Sequence, residues 1–345
     1  MASSHTPRKV RILSSFRAFD TILKGSSNIQ HQYIGQDDGS RDTFYWIRWI
    51  GTAARACYSS DFLVFNIDPR RLLVTCAIFL LIGPRFLRRC RIVSVDIVLR
   101  APCSWRDRIS AWFKRFCYQQ IDLFILYFRN IDGYVKHFGI SRDRTVYVPF
   151  KVNSWEQLVG RRSQIGEGKY VLLAGSTLRD HATFVKAVRR CGVPALLLVP
   201  GAQGHEVRQS SWYQSGLPLN LKIEFDTDGR EETYLSYFER AKIVCLPRFR
   251  WDIGPSGISA ALCAMGLGKC VVISRGPGAE DIFAETQAAL FFEPENADDL
   301  ARTLRETWER PDLCSRIAEN GARYAESVQG QERLLEDIIA ALELN

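Results

Sequence analysis

Strand-length apolar runs alternate with stretches of helical period along most of this chain, and the alternation occurs twice. In the first series the strand-like runs are Phe62–Ile67, Arg91–Val98, Leu123–Phe128 and Thr145–Phe150, with Arg11–Ser15 as an earlier one. Between them fall the apolar helix Leu72–Gly83, the helix Ser104–Gln120 and a short helix at Ile131–Phe138. Residues 1–60 are less regular, and Gly35–Ser40 (GQDDGS) has the composition of a loop. The polar stretch Ser154–Gly168 then interrupts the pattern. A second series follows, with strands at Tyr170–Gly175, Ala195–Val199, Leu221–Phe225, Lys242–Leu246, Cys270–Ile273 and Ala288–Phe292. Its helices fall at His181–Cys191, Glu231–Ala241, Ala297–Arg310, Leu313–Ser327 and Gln331–Leu344. Strands alternating with helices predict parallel sheets covered by helices. The expected architecture is α/β, two Rossmann-like domains in series facing a cleft at the C-terminal ends of their strands. The expected boundaries are 1–153 for the first domain, 154–168 for a linker, 169–330 for the second domain and 331–345 for a closing helix.

Composition agrees with this picture. The chain has 345 residues, 46% apolar and 24% charged, which is the make-up of a globular protein of about two domains. Its ten cysteines include no C-x-x-C pair, which argues against zinc and thioredoxin-type sites. The N-terminal MASSHTPRKVRIL lacks the apolar core of a signal peptide, so free thiols in a reducing cytoplasm are expected.

Charge changes the picture. Residues 1–165 carry a net +14 and residues 166–345 a net −6. The basic half is also rich in Trp, Phe and Tyr, a combination that suits nucleic acid or an anionic membrane surface. Its arginines are spread over several elements rather than along one groove, which argues against nucleic acid. The run Leu72–Gly83 has 12 residues, against the roughly 20 needed to cross a bilayer. It reads as a buried helix, or as one that dips into a membrane with Arg70, Arg71, Arg85, Arg88 and Arg89 snorkelling. The helix Ser104–Gln120 places Trp105, Ile109, Trp112, Phe113 and Phe116 on one side. That stripe either packs on the sheet or faces a membrane.

The candidate chemistry lies mostly in the second half. In Gly254–Ser274 (GPSGISAALCAMGLGKCVVIS) a Gly-containing turn runs into a small-residue helix that stops at Gly266 and Gly268. Such a turn presents free backbone N–H groups and the positive end of a helix dipole, a fit for phosphate. The stretch Leu172–Phe184 (LLAGSTLRDHATF) ends a strand in Gly175-Ser176-Thr177 and places Arg179 and Asp180 before a helix. Gly175 allows close backbone approach, Arg179 can pair with a diphosphate through two hydrogen bonds, and Asp180 is a good N-cap. His181, next in line, reads as a phosphate contact or an ordinary helix-start residue. Arg248 and Arg250 sit in the loop before the Gly254 turn, and Ser274–Asp281, with Glu280, is a third loop after a strand. Three loops at strand ends of one sheet point to a nucleotide or sugar phosphate. On the first domain Asp68 and Asp96 follow expected strands and are candidates to position an acceptor, with a helix cap or loop carboxylate as the plain alternative. No D-x-D stands out as a metal ligand set, and Asp37-Asp38 lies in a loop without a partner, so no metal is expected.

Residues 168–330 resemble the donor-binding domain of retaining GT-B glycosyltransferases of family 4, the glycosyl transferases group 1. The resemblance rests on GSTLRDHATF from Gly175, on CAMGLGKCVV from Cys263, on Gly276-Pro277-Gly278-Ala279-Glu280, and on the acidic helix start within Phe292–Ala301. The first half is similar only in outline, through Val148–Asn153 (VPFKVN). One departure stands out. Where such enzymes commonly place two glutamates, one near the donor sugar and one at the ribose, this chain has Pro255 and Cys263. A thiol cannot accept two hydroxyl hydrogen bonds as a carboxylate does.

The resemblance implies a metal-independent, retaining glycosyltransferase that uses a nucleotide sugar as substrate and has no cofactor. Expected catalytic residues are Asp96, Lys151 and Arg179. Donor contacts are expected from Gly175, Ser176, Arg179, Arg248, Ser256, Gly257, Ser259 and Glu280. The expected acceptor is a glycan or lipid-linked glycan of bacterial cell-surface polysaccharide synthesis. The expected place is the cytoplasm, with peripheral contact to an anionic membrane and no nucleic-acid partner. The missing glutamates leave an alternative, a catalytically inactive scaffold or glycan-binding module of the same fold.

Overall fold

A computed structural model of the chain describes residues 10–23, 29–34, 45–82, 89–163, 166–175, 178–226 and 228–343. Six strands form the first sheet: β1 Val10–Ser14, β2 Ile29–Tyr33, β3 Phe62–Asn66, β4 Arg91–Val95, β5 Leu123–Leu126 and β6 Thr145–Tyr147. All pair in parallel, in the order β2-β1-β3-β4-β5-β6. Six more form the second: β7 Tyr170–Leu173, β8 Ala195–Pro200, β9 Leu221–Asp226, β10 Ala241–Leu246, β11 Cys270–Ser274 and β12 Leu290–Phe292. These too are all parallel, in the order β12-β11-β10-β7-β8-β9. Helices follow the strands in both sheets, so the architecture is the expected α/β one.

The chain divides into two units. The first comprises Met1–Tyr127, Ile131–Val148 and Leu335–Asn345, and the second comprises Phe128–Asn130 and Pro149–Leu334. Most of the final helix, Gln331–Glu343, therefore belongs with the first unit. The segment expected as a linker carries the helix Trp155–Arg162. Its Leu158 is fully buried, and a Cβ at Gly266 would come within 3.0 Å of the Leu158 Cδ1 atom. That packing gives a polar stretch a reason to be helical.

Central strands in both sheets read as unbroken apolar runs because both faces are covered. Leu63, Val64, Ile92, Val93, Phe124 and Ile125 are buried in the first sheet, and Val171, Leu172, Ile243, Val244, Val271 and Val272 in the second. The apolar helix observed at Pro69–Ile82 packs inward through Leu72, Thr75, Cys76 and Phe79. Arg71 is 7% exposed rather than snorkelling. Its guanidinium stacks over Trp49 at 4.9 Å, bonds the Ile34 carbonyl at 3.2 Å and pairs with Asp68 at 3.3 Å. No described helix is long and apolar enough to cross a membrane. Arg85, Arg88 and Gly83 lie outside the described residues, as do Gly35–Ser40 with Asp37 and Asp38. The expected elements of residues 10–59 did not include β2 or the helix Tyr45–Ser59, although the buried Trp49, Ala53 and Ala56 of that helix fall at helical spacing.

Candidate functional site

In the second sheet β7 and β10 lie side by side, and the chain builds outward from them in opposite directions, to β8 and β9 on one side and to β11 and β12 on the other. A switch point of this kind leaves a crevice beyond the C-terminal ends of the two strands. The loops that leave these ends carry Gly175 after β7 and Arg248 after β10. An antiparallel bridge joins Arg179 to Arg248, and the Asp180 amide donates to the Pro247 carbonyl at 3.1 Å.

Arg179 is the centre of the site. It is 7% exposed, and its Nε donates to the Ala174 carbonyl at 3.3 Å. Two glycine turns close around its guanidinium. A Cβ at Gly175 would lie 3.1 Å from one terminal nitrogen, and a Cβ at Gly257 would lie 3.3 Å from both. Each glycine has φ +96°, a conformation that side chains disfavour. Burial, and after it the charge of Arg248, lowers the Arg179 pKa to about 10, so it remains a cation at neutral pH. Gly257 also caps the helix Ile258–Gly266, whose first-turn amides and dipole add positive potential at the same spot.

Arg248, 1% exposed, serves the scaffold. Its guanidinium donates to Asp252 at 2.8 Å, to the Gly254 carbonyl at 2.6 Å and to the Pro277 carbonyl at 2.9 Å. Asp252 in turn accepts from the Gly254 amide at 3.1 Å and from the Ser256 hydroxyl. The Ser256 side chain thus holds its own turn, and what this spot offers a ligand is backbone N–H. Glu280 closes the neighbouring loop by accepting from the Gly276 amide at 3.1 Å and from Arg275. Arg250 is tied to the Pro294 carbonyl at 3.0 Å. Pro255 packs so tightly that a Cβ on Gly278 would sit 2.3 Å from its Cα.

Cys263 is buried, and Glu231 of the helix Glu231–Glu239 is close enough to act on its thiol. Burial, with the Glu231 carboxylate nearby, pushes its thiol up to about 12. It is therefore a neutral group at neutral pH. Tyr234 on that helix lies close enough to feel both Cys263 and Arg179, and burial drives its hydroxyl well above the usual range. On the same side Asn153 donates to the Ser259 hydroxyl at 2.7 Å, and Ser154 donates to Glu231. Lys151 is half-buried, which lowers its pKa against the opposing pull of Glu231 and Glu156. Ser176 and Thr177 lie outside the described residues.

Beside Arg179 opens a cavity of about 260 Å³, lined among others by His181, Gln203, Glu206, Trp212 and Phe249. The His181 ring meets Trp212 edge-on at 5.7 Å, and its buried Nε2 has no hydrogen-bond partner among the described residues. Burial, and then the Arg179 charge, lowers the His181 pKa to about 4, so the ring is neutral. Asp180 plays the expected capping part, accepting from the Thr183 amide at 3.0 Å. The periodicity pointed neither to this cavity nor to Tyr234. Trp212 sits in the short helix Ser211–Gln214, too brief to show a period.

In the first unit Asp68 is a helix cap, accepting from the Arg71 amide at 3.2 Å. Asp96 differs. It follows β4 with φ +53°, and burial raises its carboxyl to about 6. A strained backbone and a displaced pKa together mark a functional candidate.

Residues 162–324 match the family model described as glycosyl transferases group 1. No curated protein matches the sequence. Among solved structures, the chain is similar to sucrose-phosphate synthase from Thermosynechococcus elongatus, with 15% identity, 98% of this chain and 99% of that one covered, and a TM-score of 0.70. It is similar to HepE from Anabaena in complex with UDP, with 15% identity, 98% and 100% covered, and a TM-score of 0.66. It is similar also to WaaG, a glycosyltransferase involved in lipopolysaccharide biosynthesis, with 15% identity, 96% and 98% covered, and a TM-score of 0.60. At these identities the likenesses establish the fold, which is GT-B.

Proposed function

We propose that this chain is a glycosyltransferase whose second unit binds a nucleoside diphosphate sugar. The observation that carries the reading is Arg179, a buried cation enclosed by the Gly175 and Gly257 turns at the switch point of the sheet and beside a helix N-terminus. The family match over residues 162–324 supports it, as does the UDP held by the HepE relative. The diphosphate rests against Arg179 and the amides that follow Gly257, and the base enters the cavity between His181 and Phe249, where Trp212 and the His181 Nε2 offer stacking and a polar contact.

In the reaction the bond from the anomeric carbon to the diphosphate oxygen breaks, and the acceptor oxygen forms a new bond to that carbon. The acceptor proton leaves with the diphosphate, giving glycoside and nucleoside diphosphate. Negative charge grows on the departing diphosphate, and a preorganised guanidinium with helix amides stabilises it there. These groups supply the charge that the departure requires, so the reading includes a metal-independent transfer, with retention of configuration. In this reading Lys151, two residues before the Asn153 that bonds Ser259, supplies a second cation, and Asp96 is the acceptor-side carboxyl. The acceptor in this reading is a glycan or lipid-linked glycan of cell-surface polysaccharide synthesis, which the WaaG likeness favours. The cytoplasm is the compartment that supplies such a donor.

The test is to incubate purified protein with UDP-, GDP- and ADP-sugars and to measure nucleoside diphosphate release. Arg179→Ala is expected to lower kcat/KM by about 10²–10³ through the loss of charge stabilisation. Cys263, a buried neutral thiol, favours a second reading, a GT-B module that binds a donor or glycan without turnover. Nucleotide binding without release supports that second reading. The absence of both binding and release overturns the proposal.

A further inference from the structure

The helix Trp105–Tyr118 turns its apolar stripe outward. Ala111, Cys117 and Tyr118 face the protein and are buried. Opposite them, Trp105 is 67% exposed, Ile109 59%, Trp112 62%, Phe113 46% and Phe116 40%. At 3.6 residues per turn these five fall within an arc of about 100°. Arg106 borders the stripe on one side, Arg108 and Arg115 border it on the other, and all three are exposed. The one carboxylate of the helix, Asp107, is engaged in the capping box with Ser104. The stripe is ordered: Trp112 and Phe116 pack edge-on at 4.7 Å, and the Arg106 guanidinium stacks over Trp105 at 5.4 Å. Elsewhere on the first unit, helix Tyr45–Ser59 also exposes Trp46, Ile47 and Ile50.

We infer that this helix face docks the protein on an anionic lipid bilayer, lying in the plane of the interface with the five apolar side chains below the headgroups and the arginines at phosphate level. A soluble surface does not ordinarily leave a contiguous aromatic stripe of this size to water. An in-plane interfacial helix has this composition, with aromatic residues on one face and basic residues along its flanks. The long arginine stems let the charge reach the phosphates while the stem covers apolar surface. The occupant is set by charge. The stripe is bordered on both sides by cations, and the half of the chain that carries it has a net +14, which matches the negative potential of anionic lipid. The inference is independent of the reaction proposed above, because it concerns the first unit and is read without donor or acceptor.

The experiment is co-sedimentation of the full chain with vesicles of phosphatidylcholine, with and without phosphatidylglycerol. Binding is expected only to the anionic vesicles and is expected to weaken with salt. Brominated lipid is expected to quench tryptophan fluorescence, and Trp105→Ser with Trp112→Ser to reduce that quenching. Trp112→Ser with Phe113→Ser, and separately Arg106→Glu with Arg108→Glu, are each expected to weaken binding by about tenfold or more. All four positions are exposed, so the melting temperature should stay that of the parent. The inference is overturned if the parent ignores anionic vesicles, or if either double variant binds as well as the parent. It is equally overturned if the parent is a dimer that the aromatic variant dissolves while vesicle binding is absent, since the face is then an interface between copies.

Discussion

Arg248 and Asp252 form an ion pair whose side chains are 2% and 0% exposed. Charges so deeply buried cost folding energy unless every partner is in place, and here Gly254, Pro277 and Ser256 complete the set. Removing the carboxylate leaves the cation stranded, so Asp252→Ala is expected to destabilise the second unit by about 3–5 kcal/mol in urea unfolding. Asp96 illustrates the opposite sign. Its folded-state pKa, about 6, lies above the ordinary 3.8. Ionising it therefore costs stability that accumulates as pH rises from about 4 to about 6 and stays constant above. Asp96→Asn keeps the left-handed backbone, which Asn tolerates, and removes the charge. It is expected to be more stable than the parent by about 1–3 kcal/mol at pH 8, with the advantage gone by about pH 3.5. An advantage independent of pH contradicts the assignment. Ser14, His31 and Asp20 line up as a hydroxyl–imidazole–carboxylate chain, with both links at 2.7 Å. Ser14 is fully buried and is also bonded to Phe16, so the chain holds β1 to β2 rather than presenting a nucleophile.

At the scale of elements, the helices show how local chemistry sets boundaries. Ser104 and Asp107 exchange hydrogen bonds in a complete capping box, so the helix begins where the sequence pattern predicts. Ser104→Ala is expected to cost about 1 kcal/mol, read from thermal unfolding monitored at that helix by hydrogen exchange. No change in protection over residues 105–109 contradicts a stabilising cap. The helix Ile258–Gly266 was legible from its Gly-containing turn and its small residues. Its reason became clear only in three dimensions. Except for Ser259 it is buried along its length, and Gly266 lets Val152 and Leu158 approach closely. Lys269, just beyond it, donates to the Glu239 carbonyl at 2.6 Å, and burial lowers its pKa to about 8. The stretch expected as a linker is the counter-example. Its polar composition hid a helix that is anchored by the buried Leu158 and by bonds from Arg161 to Glu239 and from Arg162 to the Gly266 carbonyl.

At the scale of the whole molecule, two α/β units of different charge divide the labour proposed here, with the donor on one and a lipid surface on the other. A nucleotide that binds only the folded second unit stabilises it by about 2.7 kcal/mol at a hundred times its Kd. Hydrogen exchange with UDP present is expected to slow in residues 171–175 and 248–262 and to leave β3 and β4 unchanged. Protection confined to the first unit overturns the placement of the donor. By itself the sequence determined the kind and order of elements, because hydrophobic period is a property of neighbours along the chain. It also determined the charge asymmetry and the loop chemistry of Gly175, Arg179 and Gly257. The tertiary structure decided what those residues meet. Gly175 and Gly257 enclose one guanidinium because β7 and β10 are adjacent in the sheet, an adjacency that no local pattern encodes. It decided also that Arg248 serves the scaffold, that Cys263 is buried beside Glu231, and that the aromatic stripe of Trp105–Tyr118 faces outward. Period tells which side chains share a face of a helix, and only packing tells what covers that face.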